Sequence, residues 1–254
     1  MTLSMIVFVG WDPRDAKAHR VCEHSLRRRA SIPVDVRSVV LDDLRDAGLY
    51  TRPTERRGQR LWDVISEAHM STEFAISRFF APLLAAQAGV RGGWIAFCDC
   101  DFLWLGDIVE LLAAADPQKA LCCVQHRYEP GEAIKIDGQV QAQYARKNWS
   151  SLMLFNLAHP AHRRLTIEML NGVPGRDLHR FCWLSDDEIG ALPPDWNWLE
   201  GTSVVGKEPP RAVHFTRGGP WVAGWEDVQY ADLWRAEYRS VLATAGDAGE
   251  RTLS

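Results

Sequence analysis

The hydrophobic pattern opens with a short apolar run followed by apolar residues at helical spacing. Residues 6–9 are all apolar and end at Gly10, which is typical of a buried strand. Asp12-Pro13 can then start a helix, because proline is tolerated in the first helical turn. The apolar positions on one face of this helix are Ala18, Val21, Cys22 and Leu26. The pattern therefore predicts that the chain begins with a strand and a helix.

Strands and helices continue to alternate through the first half of the chain. The pattern predicts a strand over 34–41, a loop over the polar and basic residues 50–59, and a helix that opens at Ser71 and carries Arg78. Pro82 is expected to kink or shorten that helix. The next predicted elements are a strand from Trp94 to two aspartates, a helix from Ile108 and a strand over 120–124. This alternation predicts a Rossmann-like α/β/α sandwich with a mostly parallel central sheet.

The second half of the chain is less regular. The sequence is polar over 127–145, and a further strand is predicted over 151–156. No stretch rich in glycine, serine or proline separates the halves. We therefore predict one domain over 1–254, with a nucleotide-binding half (1–125) and an acceptor-binding, closing half (126–254).

Three predicted strands end in polar residues. These ends are Gly10–Asp12, Asp99–Asp101 and Gln125-His126. Ligands of open α/β sheets bind outside the carboxyl ends of the strands. The sequence therefore predicts that all three ends face one crevice.

The segment Phe97-Cys-Asp-Cys-Asp-Phe102 places two carboxylates at the end of an apolar run. Side chains alternate along a strand, so Asp99 and Asp101 are expected on one side, where both can bind one hard divalent cation. Three interpretations are open for such a pair. They are a metal that bridges a nucleotide-sugar diphosphate, the nucleophile and acid of a haloacid dehalogenase-type phosphatase, and helix-capping or surface aspartates.

A second motif, His214-Phe-Thr-Arg-Gly-Gly-Pro-Trp221, combines an imidazole with a glycine turn. Backbone amides of such a turn can approach a diphosphate closely. An imidazole together with two carboxylates favours Mn²⁺ over Mg²⁺. A phosphatase of the type named above would carry a threonine soon after its aspartates, whereas Phe102-Leu-Trp104 follows them here.

Composition narrows the class of ligand and the compartment. A net charge of −4 and a pI near 6.1 argue against a broad electrostatic contact with nucleic acid, so a small ligand is expected. The six cysteines lie mostly in apolar runs, which predicts reduced thiols and a cytoplasmic protein. No apolar stretch has the length of a transmembrane span, so membrane contact is expected only through a peripheral face or a lipid-linked substrate.

Taken in order, these motifs resemble glycosyltransferase family eight, the retaining enzymes that include glycogenin and bacterial lipopolysaccharide galactosyltransferases, and within it an uncharacterised bacterial branch. The resemblance covers most of the chain. Its segments are Ile6–Gly10, Glu73–Arg78, Phe97–Trp104, Asn148–Asn156, Trp183–Asp187, Trp196-Asn197 and His214–Trp221.

The resemblance implies a GT-A fold, a UDP-sugar donor and Mn²⁺ (or Mg²⁺) held by Asp99, Asp101 and His214. It implies that Gly10, Trp11 and Asp12 lie near the uracil and ribose, and that Arg78 approaches the donor sugar or a phosphate. Further residues implied to lie beside the donor are Cys100, Asn148, Ser150 and Trp221. The acceptor is expected to be a glycan, a lipopolysaccharide or a small molecule. A module that binds a sugar nucleotide without turnover stays an alternative.

Two features qualify the match. The family has a lysine just before Pro-Trp, whereas Gly219 precedes Pro220 here, so Arg217 or the amides of Gly218 and Gly219 are expected to contact the diphosphate instead. Asp186 and Asp187 occupy the position of an Asp-Gln pair that lines the sugar site. They are predicted to act as nucleophile or electrostatic partner. The alternative is an acidic first helical turn capped by Ser185.

Overall fold

A computed structural model describes residues 4–126 and 146–250, with side chains through residue 244. The polar segment predicted over 127–145 lies outside the described residues.

Within the described part of the chain, strands and helices alternate as the sequence predicts. The strands are β1 (Met5–Gly10), β2 (Val34–Val39), β3 (Thr54–Arg57), β4 (Arg60–Asp63), β5 (Ala68–His69), β6 (Trp94–Cys98), β7 (Phe102–Trp104), β8 (Leu121–Val124), β9 (Leu152–Asn156), β10 (Ile189–Leu192), β11 (Trp198–Leu199) and β12 (Ala212–His214). The α-helices are α1 (Ala16–Arg29), α2 (Leu41–Asp46), α3 (Phe74–Ser77), α4 (Ala81–Gln87), α5 (Ile108–Ala113), α6 (Ile167–Gly172), α7 (Gly175–His179) and α8 (Ala231–Glu250).

The central sheet has six strands in the order β10-β8-β9-β6-β1-β2. Five strands run in one direction, and β9 is antiparallel to both of its neighbours. β8 and most of β6 and β1 are buried, which explains why their sequences are continuous apolar runs rather than alternating ones. The mixed α/β class with a mostly parallel sheet is confirmed.

A smaller sheet, in the order β11-β12-β7, lies next to the carboxyl end of β6. β12 is antiparallel to β7, and His214 is opposite Phe102 in the register. This pairing brings His214 to the turn that carries the two aspartates. In the sequence His214 lies 113 positions after Asp101 and 115 positions after Asp99.

The loop predicted over 50–59 and the end of the strand predicted over 34–41 were wrong. Residues 54–57 form a strand of the small sheet β3-β4-β5 rather than a loop. The exposed β3 has no apolar alternation to reveal it, and Gly58, with φ +64°, makes its turn. The second strand ends at Val39, because Leu41 already begins α2.

The helix predicted from Ser71 is interrupted next to Pro82, in agreement with the effect expected of this proline. It is divided into α3, a 3-10 turn over Arg78–Phe80, and α4. Pro82, in the first turn of α4, has no backbone N–H and cannot continue the helical hydrogen bonds of the preceding turn. Its position explains why the helix is interrupted there.

The long helix α8 packs on α1. Val21 of α1 lies in one apolar cluster with Trp234 and Val241 of α8. Buried Glu237 accepts from Arg29 at 3.1 Å and is 2.6 Å from His24 Nδ1. Among the described residues, no helix is both long and apolar enough to cross a membrane.

Candidate metal centre

Asp99 and Asp101 lie in the turn between β6 and β7, not on a strand as predicted, because β6 ends at Cys98. Backbone hydrogen bonds fix this turn on both sides. The Asp99 N–H donates to the Ser151 carbonyl at 2.9 Å, and the Phe215 N–H donates to the Asp101 carbonyl at 3.1 Å. The turn is therefore held by residues that flank β9 and β12.

The two carboxylates and His214 form one cluster. His214 Nε2 lies 3.3 Å from Asp101 Oδ1 and 3.9 Å from Asp99 Oδ2. One ligand atom from each residue lies within 4.8 Å of the others. Asp101 Oδ1 is buried and has no hydrogen-bond partner among the described residues. An unpartnered buried oxygen beside an imidazole nitrogen suits a divalent cation, so these residues fit a metal.

A chain of hydrogen bonds orients His214. Its Nδ1 lies 3.0 Å from Asn197 Oδ1, while Asn197 Nδ2 donates to Ser151 Oγ at 2.8 Å. Ser151 Oγ in turn donates to the Asn148 carbonyl at 2.8 Å. These roles place a proton on Nδ1 of the imidazole, and Nε2 faces the aspartates, where it can bind a metal ion once it carries no proton.

Arg78 is the buried partner of Asp99. Its Nη1 lies 2.7 Å from Asp99 Oδ1 and donates to the Ser150 carbonyl at 3.0 Å. Burial raises the pKa of Asp99 to about 6, although Arg78 opposes the rise. Burial also disfavours the Asp101 carboxylate, but His214, a backbone hydrogen bond and Arg78 together outweigh burial and lower the pKa of Asp101. Asp101 therefore ionises more readily than Asp99.

The cluster opens into a cavity of about 430 Å³. Ten of the residues predicted to bind the donor or the metal lie on its wall. They are Arg78, Asp99, Cys100, Asp101, Asn148, Ser150, His214, Arg217, Gly218 and Trp221. The cavity thus brings together four segments that are distant in the sequence.

Gly10, Trp11 and Asp12 lie outside the wall of this cavity. A Cβ on Gly10 would lie 2.5 Å from the Phe74 ring, so this glycine permits β1 to pack on α3. Asp12 is fully buried and accepts hydrogen bonds from the Arg14 and Glu73 N–H groups. These contacts are structural, and the predicted nucleotide contacts of this segment stay predictions.

Asp15 reaches the cavity instead and was not predicted. Its Oδ1 accepts a 2.8 Å hydrogen bond from Trp221 Nε1, which joins the first β–α turn to the closing segment. Burial raises the pKa of Asp15. In the sequence Asp15 follows Pro13-Arg14 and looks like an ordinary helix start.

His179 was also missed. Its Nδ1 lies 2.7 Å from Ser150 Oγ, and both residues line the cavity. Burial lowers the pKa of His179 to about 3, so the ring is neutral and its Nδ1 can accept a hydrogen bond from the Ser150 hydroxyl. No sequence motif marked this histidine.

Asp186 and Asp187 are not brought to the cavity. They lie in a 3-10 turn whose Ser185 N–H donates to Glu188 Oε2 at 2.9 Å. The Asp186 carboxylate is 93% exposed and pairs with Arg146. This geometry matches the capped acidic turn that the sequence left open as the alternative.

Of the residues expected to replace the lysine, Arg217 and Gly218 lie on the cavity wall. The Gly218 N–H donates to the Phe215 carbonyl at 3.0 Å and is not directed at a ligand. Gly219 lies against the Trp221 ring and outside the wall. Of the predicted replacements for the lysine, Arg217 is the one that presents a charge to the cavity.

Solved structures of similar fold include three glycosyltransferases. The bifunctional glycosyltransferase WbbM has a TM-score of 0.60 and 16% identity over 92% of this chain, which spans 49% of the WbbM chain. The galactosyltransferase LgtC has a TM-score of 0.55 and 14% identity, covering 93% of this chain and 96% of LgtC. GlyE of Streptococcus pneumoniae TIGR4 has a TM-score of 0.56 and 13% identity, covering 97% of this chain and 64% of GlyE. These similarities confirm the predicted GT-A fold.

No protein-family profile matches the chain. A curated plant protein does match it over most of its length. Protein CDI of Arabidopsis thaliana is 48% identical over 235 residues, which are 91% of this chain and 85% of the plant protein. Identity at this level over this length is shown by members of one family, and the chain therefore belongs to the family of Arabidopsis Protein CDI.

Proposed function

We propose that this protein is a metal-dependent, retaining glycosyltransferase of family eight, in its bacterial branch, which moves a hexose from a UDP-sugar to a glycan, lipopolysaccharide or small-molecule acceptor. The observation that carries the proposal is the Asp99, Asp101 and His214 cluster at the base of a cavity in a GT-A fold. The glycosyltransferases of similar fold support the same class of reaction.

The proposed metal is Mn²⁺, held by Asp99, Asp101 and His214. The mixed oxygen and nitrogen ligand set supports manganese over magnesium. When bound, such an ion offsets the negative charge that grows on the leaving diphosphate. Arg78 keeps Asp99 in place for this role, since its guanidinium is itself buried and hydrogen-bonded to backbone carbonyls.

The remaining cavity wall supports an anionic, sugar-containing ligand. Cationic side chains on it are Arg78, Lys147 and Arg217. The volume of about 430 Å³ lies within the usual range for small-molecule sites. Ser150 Oγ, which donates a hydrogen bond to His179 Nδ1, keeps lone pairs that can accept a hydrogen bond from a sugar hydroxyl. The Trp221 ring offers an apolar face to a pyranose.

The proposal assigns no protein nucleophile. The described carboxylates on the cavity wall are Asp15, Asp99 and Asp101. Asp15 accepts a hydrogen bond from Trp221, and Asp99 and Asp101 form the candidate metal site with His214. The catalytic roles predicted for Asp186 and Asp187 stay predictions that their position does not support.

The direct test is donor hydrolysis. The purified protein is incubated with a panel of UDP-sugars and Mn²⁺, and UDP release is followed with and without EDTA. We expect release from at least one donor, abolished by EDTA and lowered at least about tenfold by Asp101→Asn. Asp195→Asn, which changes an exposed aspartate away from the cavity, is the matched control.

The outcomes separate the alternatives. Phosphate release from an aryl phosphate, without UDP release, would indicate the phosphatase instead. UDP and Mn²⁺ that raise the unfolding temperature without turnover of any donor would indicate the binding module. Neither turnover nor a thermal shift with any nucleotide would contradict the proposal.

A further inference from the structure

The guanidinium of Arg217 is held at the cavity wall by a carboxylate outside the motifs discussed so far. Arg217 Nη2 lies 3.2 Å from Glu200 Oε1 and 3.1 Å from Oε2, and Nε lies 3.2 Å from Oε2. The Glu200 side chain is only 5% exposed, whereas that of Arg217 is 41% exposed. The carboxylate is therefore the fixed partner, and the arginine extends from it towards the cavity.

Glu200 is itself fixed to the metal centre through the backbone. It follows directly after β11, and its N–H donates to the His214 carbonyl at 3.0 Å. The residue that holds Arg217 is thus hydrogen-bonded to the residue that supplies the metal-binding imidazole. This arrangement sets the position of the Arg217 guanidinium relative to Asp99, Asp101 and His214.

Two further neighbours confine the guanidinium. Gly201, with φ +73°, lies directly against it, and any Cβ at this position would collide with the Arg217 side chain. On another side the Trp225 ring centroid is 5.4 Å from Arg217 Cζ, within the range of a cation–π contact. The hydrogen bonds of Arg217 to Glu200 use Nε and Nη2, and no hydrogen bond of Nη1 to the described residues is found, while the Arg217 side chain lines the cavity.

We propose that Glu200 is a positioning residue, which orients Arg217 so that Nη1 meets the diphosphate of the donor. The inference rests on the proposed function, since it takes the ligand to be a nucleoside diphosphate. An arginine has a planar fork that can bind a carboxylate with one edge and a phosphate with another, which a lysine cannot do. A held arginine therefore performs the task of the missing lysine with less loss of side-chain entropy on binding.

The sign of one substitution separates positioning from simple electrostatics. Glu200→Gln removes a negative charge near the proposed diphosphate, so charge alone would make UDP bind more tightly. If Glu200 acts by orienting Arg217, the same substitution weakens UDP binding. Calorimetric titration of UDP in saturating Mn²⁺ measures this difference.

We expect Glu200→Gln to raise the Kd for UDP about fivefold to tenfold, and Arg217→Met to raise it at least as much. In the Arg217→Met background, Glu200→Gln is expected to change the Kd by less than about twofold, because its effect passes through the arginine. Glu110→Gln is the matched control, because it breaks the ion pair of Glu110 with Arg211 (2.8 Å), whose residues do not line the cavity.

Tighter or unchanged UDP binding by Glu200→Gln would overturn the inference, as would a full effect in the Arg217→Met background. Glu200→Asp gives a second measure should the glutamine variant fail to fold: it retains the charge but is too short for the two-oxygen contact, and it is also expected to weaken UDP binding. If the unmodified protein binds no nucleotide with Mn²⁺, the proposed function itself fails. If the unmodified protein binds UDP and substitution of Glu200 does not change the Kd, only the inference about Glu200 fails.

Discussion

At the scale of single residues, the orientation of His214 depends on the side-chain amide of Asn197, which does not line the cavity. Asn197 is fully buried and is the acceptor next to His214 Nδ1, and its own amide group donates to Ser151. The orientation of the amide therefore decides which imidazole nitrogen carries the proton. Asp99, Asp101 and His214 could be predicted from chemistry and motif order. The role of Asn197 could not, because hydrogen-bond partners depend on tertiary packing.

We predict that Asn197→Leu weakens Mn²⁺ binding in the presence of UDP by about tenfold or more. Leucine has a similar volume but cannot accept a hydrogen bond from His214 Nδ1, so the tautomer of the imidazole is no longer fixed. Titration calorimetry measures the affinity. Asn171→Leu, which removes a hydrogen bond to the Leu49 carbonyl away from the cavity, is the control. Equal Mn²⁺ affinity in the Asn197 variant and the wild type would refute the role of this amide.

At the scale of secondary-structure elements, the turn from β1 to α1 positions α3, which directly precedes Arg78. Gly10 allows Phe74 of α3 to approach β1, and Asp12 accepts the Glu73 N–H at 3.0 Å. The strand and the helix could be predicted, since continuous apolar runs and helical spacing are local signals. Their contact could not, because it joins residues 64 positions apart.

We predict that Gly10→Ala lowers the free energy of unfolding by about 1–3 kcal/mol. The added methyl group would lie 2.5 Å from the Phe74 ring, and α3 must move to accommodate it. Urea unfolding gives the free energy. Gly172→Ala is the matched control, because a Cβ there meets no atom within 4 Å. A fully stable Gly10→Ala variant would show that the contact with Phe74 is not tight.

The pH dependence of stability tests Asp12. Burial opposes ionisation of Asp12, but hydrogen bonds from Arg14 and Glu73 outweigh it and lower the pKa of this carboxyl. A lowered pKa in the folded state stabilises the fold above the unfolded pKa, and this stabilisation is lost as the pH falls through the folded value. Asp12→Asn is therefore expected to cost about 2 kcal/mol at pH 7 and progressively less below pH 3.8. A difference between wild type and variant that is constant from pH 7 to acid would contradict this assignment.

At the scale of the whole molecule, the site is assembled from segments distant in sequence. The aspartates follow β6, His214 ends β12, and Asp15 precedes α1. The sequence allowed the fold class and the proximity of Asp99, Asp101 and His214 to be predicted, because strand ends in an α/β sheet converge on one edge. It did not predict that Asp186 and Asp187 remain exposed, since sequence order alone does not determine whether an acidic turn faces a cavity or solvent.

The central claim is that Asp99, Asp101 and His214 hold a divalent ion for a nucleoside diphosphate. The most direct measurement is the stoichiometry of bound Mn²⁺ with UDP present, from the loss of the electron paramagnetic resonance signal of free Mn²⁺. We predict one ion per chain in the wild type and in Asp195→Asn, and none detectable in Asp101→Asn at the same concentrations. Equal Mn²⁺ binding by Asp101→Asn and the wild type would contradict the claim, as would no binding in the wild type.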